Sequence, residues 1–248
     1  MRSFKITLAY NGGAYAGWQV QANAKTVQSE LEKALKRITG QSVRAIASGR
    51  TDSGVHAIAQ VVSLNLETPM APEMLGRALN GNLPRDIAIS SVEEAQLGFH
   101  AIRDALGKRY RYLIQDGSQR DVFAGGLAWQ CSYTLDTTAM QRAADLLLGE
   151  HDFSSFEAAG SGRTTSIRDV KDIVVQRQFI EDFSRVVVEV EANGFLYNMV
   201  RNIVGTLVEV GRGVFEPEWI RGVLEAKDRK AAGPTTPPEG LYLLEVYY

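Results

Sequence analysis

The order of its apolar patterns restricts the fold of this chain more than any single motif does. Strand patterns, in which apolar residues alternate with polar ones, lie at 4–10, near 43–48, near 59–66 and at 87–92. Helical repeats lie at 27–38 and from Pro72 onwards, and the first of them has Thr26 as its N-cap and Gly40 as its stop. The order strand–helix–strand–strand–helix–strand predicts the ferredoxin-like arrangement.

The second half of the chain repeats this order of elements without repeating the residues. Strand patterns lie near 107–115, near 168–178, near 184–192 and at 243–247, and helical ones near 137–148 and near 195–211. We therefore expect an α+β protein built from two ferredoxin-like halves, residues 1–104 and residues 105–248. The proline-rich segment 234–240 fits neither regular element, which predicts an ordered loop or a lid.

One loop of the first half carries a carboxylate between two predicted strands. Residues 49–57 are Gly-Arg-Thr-Asp-Ser-Gly-Val-His-Ala. The loop projects Asp52 from the end of a sheet, between glycines that permit positive φ or close approach to a ligand. Arg50 can stabilise the ionised carboxylate or hold a phosphate. The competing interpretation is that the loop is a hairpin connection in which Asp52 is solvated. Two other types of loop are excluded, because the residues match neither a Walker phosphate-binding loop nor a nucleophile elbow.

Composition narrows the class of protein. The 248 residues carry a net charge of −2 and no apolar run long enough to span a membrane. The start lacks the apolar segment of a signal peptide, and the single cysteine, Cys131, cannot form an internal disulfide, so we expect a cytoplasmic protein. Metal-ligand spacing and a G-x-G-x-x-G pattern are both absent, so we expect neither a metal nor a nucleotide cofactor.

Basic residues are concentrated in two places despite the small net charge. The first group is Arg103, Lys108, Arg109 and Arg111, and the second is Arg163, Arg168 and Lys171. Local basic regions of this kind are compatible with RNA binding, although charge runs are more often solvated faces.

The strand at 108–112 alternates basic with aromatic side chains. Tyr110 and Tyr112 therefore share one face of the sheet, where tyrosine rings can stack on unpaired bases. The alternative is that these rings pack in the core, and we favour that alternative for Tyr112.

Arg201 lies within the almost wholly apolar segment 195–208. A helix that is apolar all round is buried, and a buried guanidinium requires a carboxylate. The candidate partners are Glu191, Glu209 and Asp52.

Several motifs in a fixed order make the sequence similar to one family along almost its full length. They are the turn at 11–21, G-R-T-D-x-G-V-H-A at 49–57, F-H-A at 99–101, R-Y-R-Y at 109–112, F-L-x-x-M-V-R-N-I-V-G at 195–205 and P-P-x-G-L-Y-L at 237–243. Together they resemble the tRNA pseudouridine synthase A family. The resemblance implies a pseudouridine synthase fold with a central cleft.

The resemblance also implies an activity and a set of site residues. Uridines of tRNA, nominally 38, 39 and 40 in the anticodon stem-loop, would be isomerised by a homodimer that needs no cofactor. The implied roles are Asp52 as the nucleophile, Tyr110 as the ring on the target base, Arg201 as the partner of the aspartate, Leu241 as apolar lining and Arg50 as the residue that holds the base out of the stack. Attack on C1′, addition to C6 and removal of a ribose proton remain open for Asp52.

Two other classes compete with this interpretation. An RNA-binding protein without activity explains the aromatic strand but leaves Asp52 without a role, because a carboxylate repels phosphate. An enzyme that acts on a small phosphorylated substrate explains the low net charge but leaves exposed aromatic residues without a role.

Overall fold

The chain follows the predicted alternation of strands and helices. The structure, a computed structural model, describes residues 1–160, 164–180 and 183–248, so Arg163 of the second basic group lies outside the described residues. The elements are β1 Arg2–Tyr10, α1 Val27–Thr39, β2 Ile46–Ala47, β3 His56–Leu66, α2 Pro72–Asn80, β4 Ile87–Ala95, β5 Gly107–Asp116, β6 Trp129–Cys131, α3 Thr137–Asp145, β7 Gly149–Asp152, β8 Ile167–Ile180, β9 Phe183–Ala192, α4 Met199–Gly211, α5 Trp219–Ala226 and β10 Leu241–Tyr247.

One unit comprises Met1–Leu106 and Tyr242–Tyr248. In its sheet β1 lies between β4 and β3, and β2 pairs with the other edge of β3, all antiparallel. This strand order, with α1 and α2 as the two connecting helices, is the ferredoxin-like arrangement, so the prediction for the first half is confirmed. β10 joins the same edge of β3 in parallel, with Tyr242 opposite His56.

Local sequence sets the ends of α1 as predicted. The Thr26 side chain accepts a hydrogen bond from Ser29 N, while the Ser29 side chain returns a bond to the Thr26 backbone, which completes a capping box. The helix stops at Gly40, whose φ of 74° is left-handed and favours glycine. Leu31 and Leu35 are fully buried, so the apolar face of the helix contributes to the core.

The other unit comprises Gly107–Leu241. Its antiparallel sheet has the order β5–β9–β8–β7, and β6 lies parallel to β5. The predicted strands near 107–115, 168–178 and 184–192 are β5, β8 and β9. β6 and β7 were not predicted because they have only three and four residues, too few to show a period. The short helix α5 was also missed.

The helix predicted near 195–211 begins later than expected, at Met199. Asn198, the residue before it, has a left-handed backbone with φ of 60°, which interrupts a helix. The prediction that this helix is buried is confirmed, because Ile203, Val204 and Leu207 have no exposed surface.

The proline-rich segment 234–240 is an ordered loop that lies directly on α4. A Cβ on Gly205 would lie 1.7 Å from the Pro234 carbonyl oxygen, and one on Gly233 would lie 2.7 Å from the Gly205 carbonyl oxygen. Gly233 N donates to Thr206 Oγ1 at 3.0 Å. The loop therefore contacts the main chain of the helix through positions that only glycine can occupy.

We expect Gly205→Ala to destabilise the protein, because its Cβ has no space beside Pro234. Overpacking of this kind costs about 1–3 kcal/mol, and each kcal/mol corresponds to roughly 2–4 °C in Tm for a protein of this size. The control is Gly222→Ala in α5, where nothing lies within 4 Å of the added Cβ and alanine is the better helix former. Thermal melts should show a lower Tm for the first variant alone; equal Tm values would contradict the contact.

Candidate functional site

Asp52 lies half-buried in the loop that precedes β3 (residues 49–55, hereafter the aspartate loop). Val55 N donates to the Asp52 carbonyl oxygen at 3.1 Å, which closes a tight turn around the aspartate. Gly54 has φ of 81°, so the predicted positive φ is found at one of the two glycines that flank Asp52.

Two glycines of the preceding turn support the aspartate loop. A Cβ on Gly12 would lie 1.9 Å from the Val55 carbonyl oxygen, and one on Gly17 would lie 2.5 Å from the Thr51 carbonyl oxygen. Trp18 N donates to that same Thr51 oxygen at 3.0 Å. The turn and the loop thus touch main chain to main chain, which fixes the position of the residues around Asp52. Sequence reasoning did not give Gly12 and Gly17 this role.

Buried polar side chains tie the aspartate loop to the sheet. Tyr10 Oη and Thr51 Oγ1 form a hydrogen bond of 2.8 Å, and Gln60 Nε2 donates to the Gly49 carbonyl oxygen at 2.9 Å. Burial raises the pKa of the Tyr10 hydroxyl to about 12, so Tyr10 keeps its proton at neutral pH. These bonds satisfy groups that would otherwise be buried without partners.

His56 is a second supporting residue that sequence reasoning missed. Its Nδ1 accepts a hydrogen bond from Gly12 N at 3.0 Å, and its ring stacks on Tyr242 with centroids 4.6 Å apart. An Nδ1 that accepts a hydrogen bond carries no proton, so this contact requires the neutral imidazole. The motif G-V-H-A was visible in the sequence, but a buried histidine is not distinguishable there from an exposed one.

Tyr110 and Tyr112 on β5 are both buried, but their contacts differ. Tyr112 is fully buried, and its hydroxyl donates to the Pro237 carbonyl oxygen at 2.7 Å. Burial raises the pKa of that hydroxyl well above its usual range. Tyr112 is therefore a core residue, which confirms the alternative that the sequence analysis favours for it. Tyr110 is 8 % exposed and meets the Phe195 ring edge-on at 4.9 Å.

Two arginines of the first basic group form ion pairs with acids on β9 and on β8. Arg109 binds Asp172 at 2.7 Å, Glu189 at 3.1 Å and Glu191 at 2.8 Å, and Arg111 binds Glu189 at 2.7 Å. The register places Arg109 opposite Glu191 and Arg111 opposite Glu189, so these pairs are cross-strand pairs. Acids thus engage both guanidinium groups, which disfavours the interpretation of this run as an open basic region for RNA.

In the second basic group, Arg168 is buried and donates to the Thr165 and Ile167 carbonyl oxygens. It binds main-chain carbonyl oxygens in this structure, which disfavours a role of this arginine in RNA binding.

Arg201 is half-buried on α4 and has a fixed orientation. Its Nε donates to the Thr236 carbonyl oxygen at 2.7 Å, and one terminal nitrogen donates to Asn198 Oδ1 at 2.9 Å. Of its candidate structural partners, Glu209 binds Arg212 at 2.8 Å and Glu191 binds Arg109. The pairing of Arg201 with Asp52 stays a prediction.

Asn198 helps to hold the Arg201 side chain in this orientation. Its backbone is left-handed, a costly conformation for a residue other than glycine, and its side chain makes no helix-capping bond. The side chain instead accepts a hydrogen bond from Arg201.

The structure also places the two remaining predicted site residues. Leu241, which follows the proline-rich loop, is buried, and Arg50 of the aspartate loop is exposed.

Comparison with known proteins assigns this chain to a family. The profile of the family described as tRNA pseudouridine synthase matches residues 6–103 and 143–248, which include Asp52, Arg201 and Leu241. The chain belongs to the tRNA pseudouridine synthase family. It is 46% identical over 248 residues to tRNA pseudouridine synthase A of Acetivibrio thermocellus and 44% identical to those of Thermoanaerobacter sp. (strain X514) and Pelobacter propionicus, with all of each chain covered.

Membership fixes the class of reaction. The chain is an isomerase that forms pseudouridine in tRNA. A solved structure, the Nop10–Cbf5 complex of an archaeal box H/ACA ribonucleoprotein, aligns with 92% of this chain and 59% of its own, at 16% identity and a TM-score of 0.35. The assignment to the family rests on the sequence matches alone.

Two further findings concern the described residues. None of their helices has the length and apolar character that crossing a membrane requires. They also bring together no group of three or more His, Cys, Asp or Glu side chains suited to a metal ion.

Proposed function

We propose that the chain converts uridines 38, 39 and 40 of the tRNA anticodon stem-loop to pseudouridine, with Asp52 as the nucleophile. The observation that carries the proposal is the support of Asp52: a half-buried carboxylate on a loop that glycine contacts and buried hydrogen bonds fix. Preorganised groups of this kind are typical of catalytic sites. The choice of tRNA positions rests on the motifs that resemble the tRNA pseudouridine synthase A family.

The proposed reaction is an intramolecular transfer. The bond from uracil N1 to C1′ breaks, the base turns, C5 bonds to C1′, and the proton leaves C5 while N1 gains one, so substrate and product are isomers. Asp52 acts as an anion whether it attacks C1′, adds to C6 or removes a ribose proton. An arginine favours that ionised form, which is the role we assign to Arg201.

The remaining residues would handle the base once it leaves the helix. A paired base is inaccessible to an enzyme, so the target uridine must be flipped out and held. We assign Tyr110 to stack on the flipped base, with Phe195 as the support of its ring. Leu241 is assigned as apolar lining, and Arg50, which is exposed, as the residue that keeps the base out of the stack.

We expect Asp52→Asn to keep the fold and tRNA binding and to abolish conversion, because asparagine has the same shape but cannot act as an anion. The control is Asp145→Asn on the exposed end of α3, which removes the same charge from the surface and should convert tRNA at the wild-type rate. Single-turnover assays of tritium release from labelled uridine in tRNA measure the rate of conversion by each of the two variants. Wild-type rates in Asp52→Asn would remove this residue from the mechanism.

Substitutions at Tyr110 distinguish a role in stacking on the base from a role in packing the core. Tyr110→Phe should retain tRNA binding because the ring remains, whereas Tyr110→Ala should lose conversion far more than thermal stability. Tyr112→Ala is the control, since Tyr112 is fully buried and its loss should cost about 3–5 kcal/mol of stability. If Tyr110→Ala lowers Tm as much as Tyr112→Ala does, Tyr110 is a core residue and the stacking role is wrong.

We also propose a cytoplasmic homodimer in which residues 1–104 supply the nucleophile and residues 105–248 the stacking and pairing side chains. A net charge of −2 leaves few cations per chain for a substrate as large as tRNA, and two-fold symmetry can align two basic surfaces.

Sedimentation at micromolar concentration should then show a dimer, and affinity for tRNA should fall steeply as salt is added. A monomer with full specific activity would exclude the dimer. Recovery of the protein in a membrane or envelope fraction of its cells would exclude the proposed compartment.

A further inference from the structure

A pocket of about 120 Å³ lies at the aspartate loop, within the unit that contains Met1–Leu106. Its lining includes the two residues of β2, Trp18 and two arginines, Arg44 and Arg50. Ile102, which is 54 % exposed, adds an apolar side chain to the same lining. The pocket thus combines positive charge with apolar surface, the two features that RNA strands require.

The two arginines of this pocket differ from those on β5. Both Arg44 and Arg50 are exposed, and neither forms an ion pair with any acid in the described parts of the chain. Glu32 is the acid in contact with Ala45 of the pocket wall, and it accepts from Ala45 N at 2.9 Å and from Gln28 Nε2 at 2.8 Å. The Glu32 carboxylate is therefore bound by neutral donors, and Arg44 and Arg50 remain able to bind an anion.

Hydrogen bonds within the protein hold the wall of the pocket in place. Gln28 is buried and joins three segments: its Nε2 donates to the Ala45 carbonyl oxygen at 3.1 Å, its Oε1 accepts from Val20 N at 3.0 Å, and its own N donates to the Trp18 carbonyl oxygen at 3.0 Å. A binding surface that needs no rearrangement loses less free energy on association.

We propose that this pocket binds the phosphodiester backbone of the tRNA strand beside the target uridine, with Arg44 as a phosphate-binding residue. The proposal rests on the proposed function, because Asp52 must receive the uridine. Two residues span at most about 7 Å, so Arg50 lies within that distance of Asp52 along the chain. A strand that presents its uridine to Asp52 therefore passes within reach of the pocket, where guanidinium groups suit phosphate oxygens.

The first test compares Arg44→Gln with Arg77→Gln, which removes an exposed arginine from α2 outside the pocket. The Kd of each variant for an unmodified tRNA transcript is measured across a series of salt concentrations. Arg44→Gln should bind several-fold more weakly, and the slope of log K against log salt should fall by about one. The Arg77→Gln control should keep the wild-type Kd, slope and single-turnover rate of conversion. A wild-type Kd and slope for Arg44→Gln, or an equal loss in Arg77→Gln, would overturn the proposal.

The second test locates the phosphate. Full-length tRNAs are assembled with one neutral methylphosphonate linkage each, scanned through the linkages that flank the target uridine. One linkage should weaken binding by the wild type yet cause no further loss in Arg44→Gln, since both changes remove the same contact. Losses that add at every linkage would overturn the proposal. Conversion by the wild type is measured alongside: absence of pseudouridine contradicts the proposed function, whereas conversion without a coupled linkage contradicts only the role of Arg44.

Discussion

Main-chain contact without intervening side chains is the constraint on which the candidate site depends. Gly12 and Gly17 bring one turn against the aspartate loop, so closely that a Cβ at either position would overlap a carbonyl oxygen. Gly205 and Gly233 do the same for the proline-rich loop on α4, the helix that carries Arg201. Packed main chain has few alternative arrangements, so the segments that carry Asp52 and Arg201 are held without a bound partner.

Some arginines are engaged within the fold, whereas others are exposed beside the aspartate loop. Arg109 and Arg111 lie opposite acids on β9, and Arg168 donates to carbonyl oxygens, so these guanidinium groups are engaged within the fold. Arg44 and Arg50 remain exposed beside the aspartate loop. The small net charge therefore does not describe the charge around the aspartate loop, because local fields differ from the total.

The sequence predicted most of the fold because long periodic segments report which face is buried. Alternation gave β1, β3, β5, β8 and β9, and the cap at Thr26 and the stop at Gly40 gave the ends of α1. β6 and β7 are too short to show a period, and α4 starts late because the backbone of Asn198 is left-handed, which residue type alone does not predict.

The candidate site could likewise be predicted only in part. Asp52 was recognisable because its motif is local and long, whereas the supports beneath it come from residues about forty positions away, such as Gly12. The ion pairs of the basic strand could not be predicted for the same reason: pairing with Glu189 and Glu191 depends on a register that forms only in the folded sheet. Contacts between distant segments require the structure, and patterns within one segment do not.

The most direct measurement maps pseudouridine, by chemical labelling and primer extension, in unmodified tRNA incubated with this protein. The account predicts new pseudouridine at uridines 38, 39 and 40 of the anticodon stem-loop. Stable binding of tRNA without any pseudouridine, or pseudouridine formed only outside the anticodon stem-loop, would contradict it.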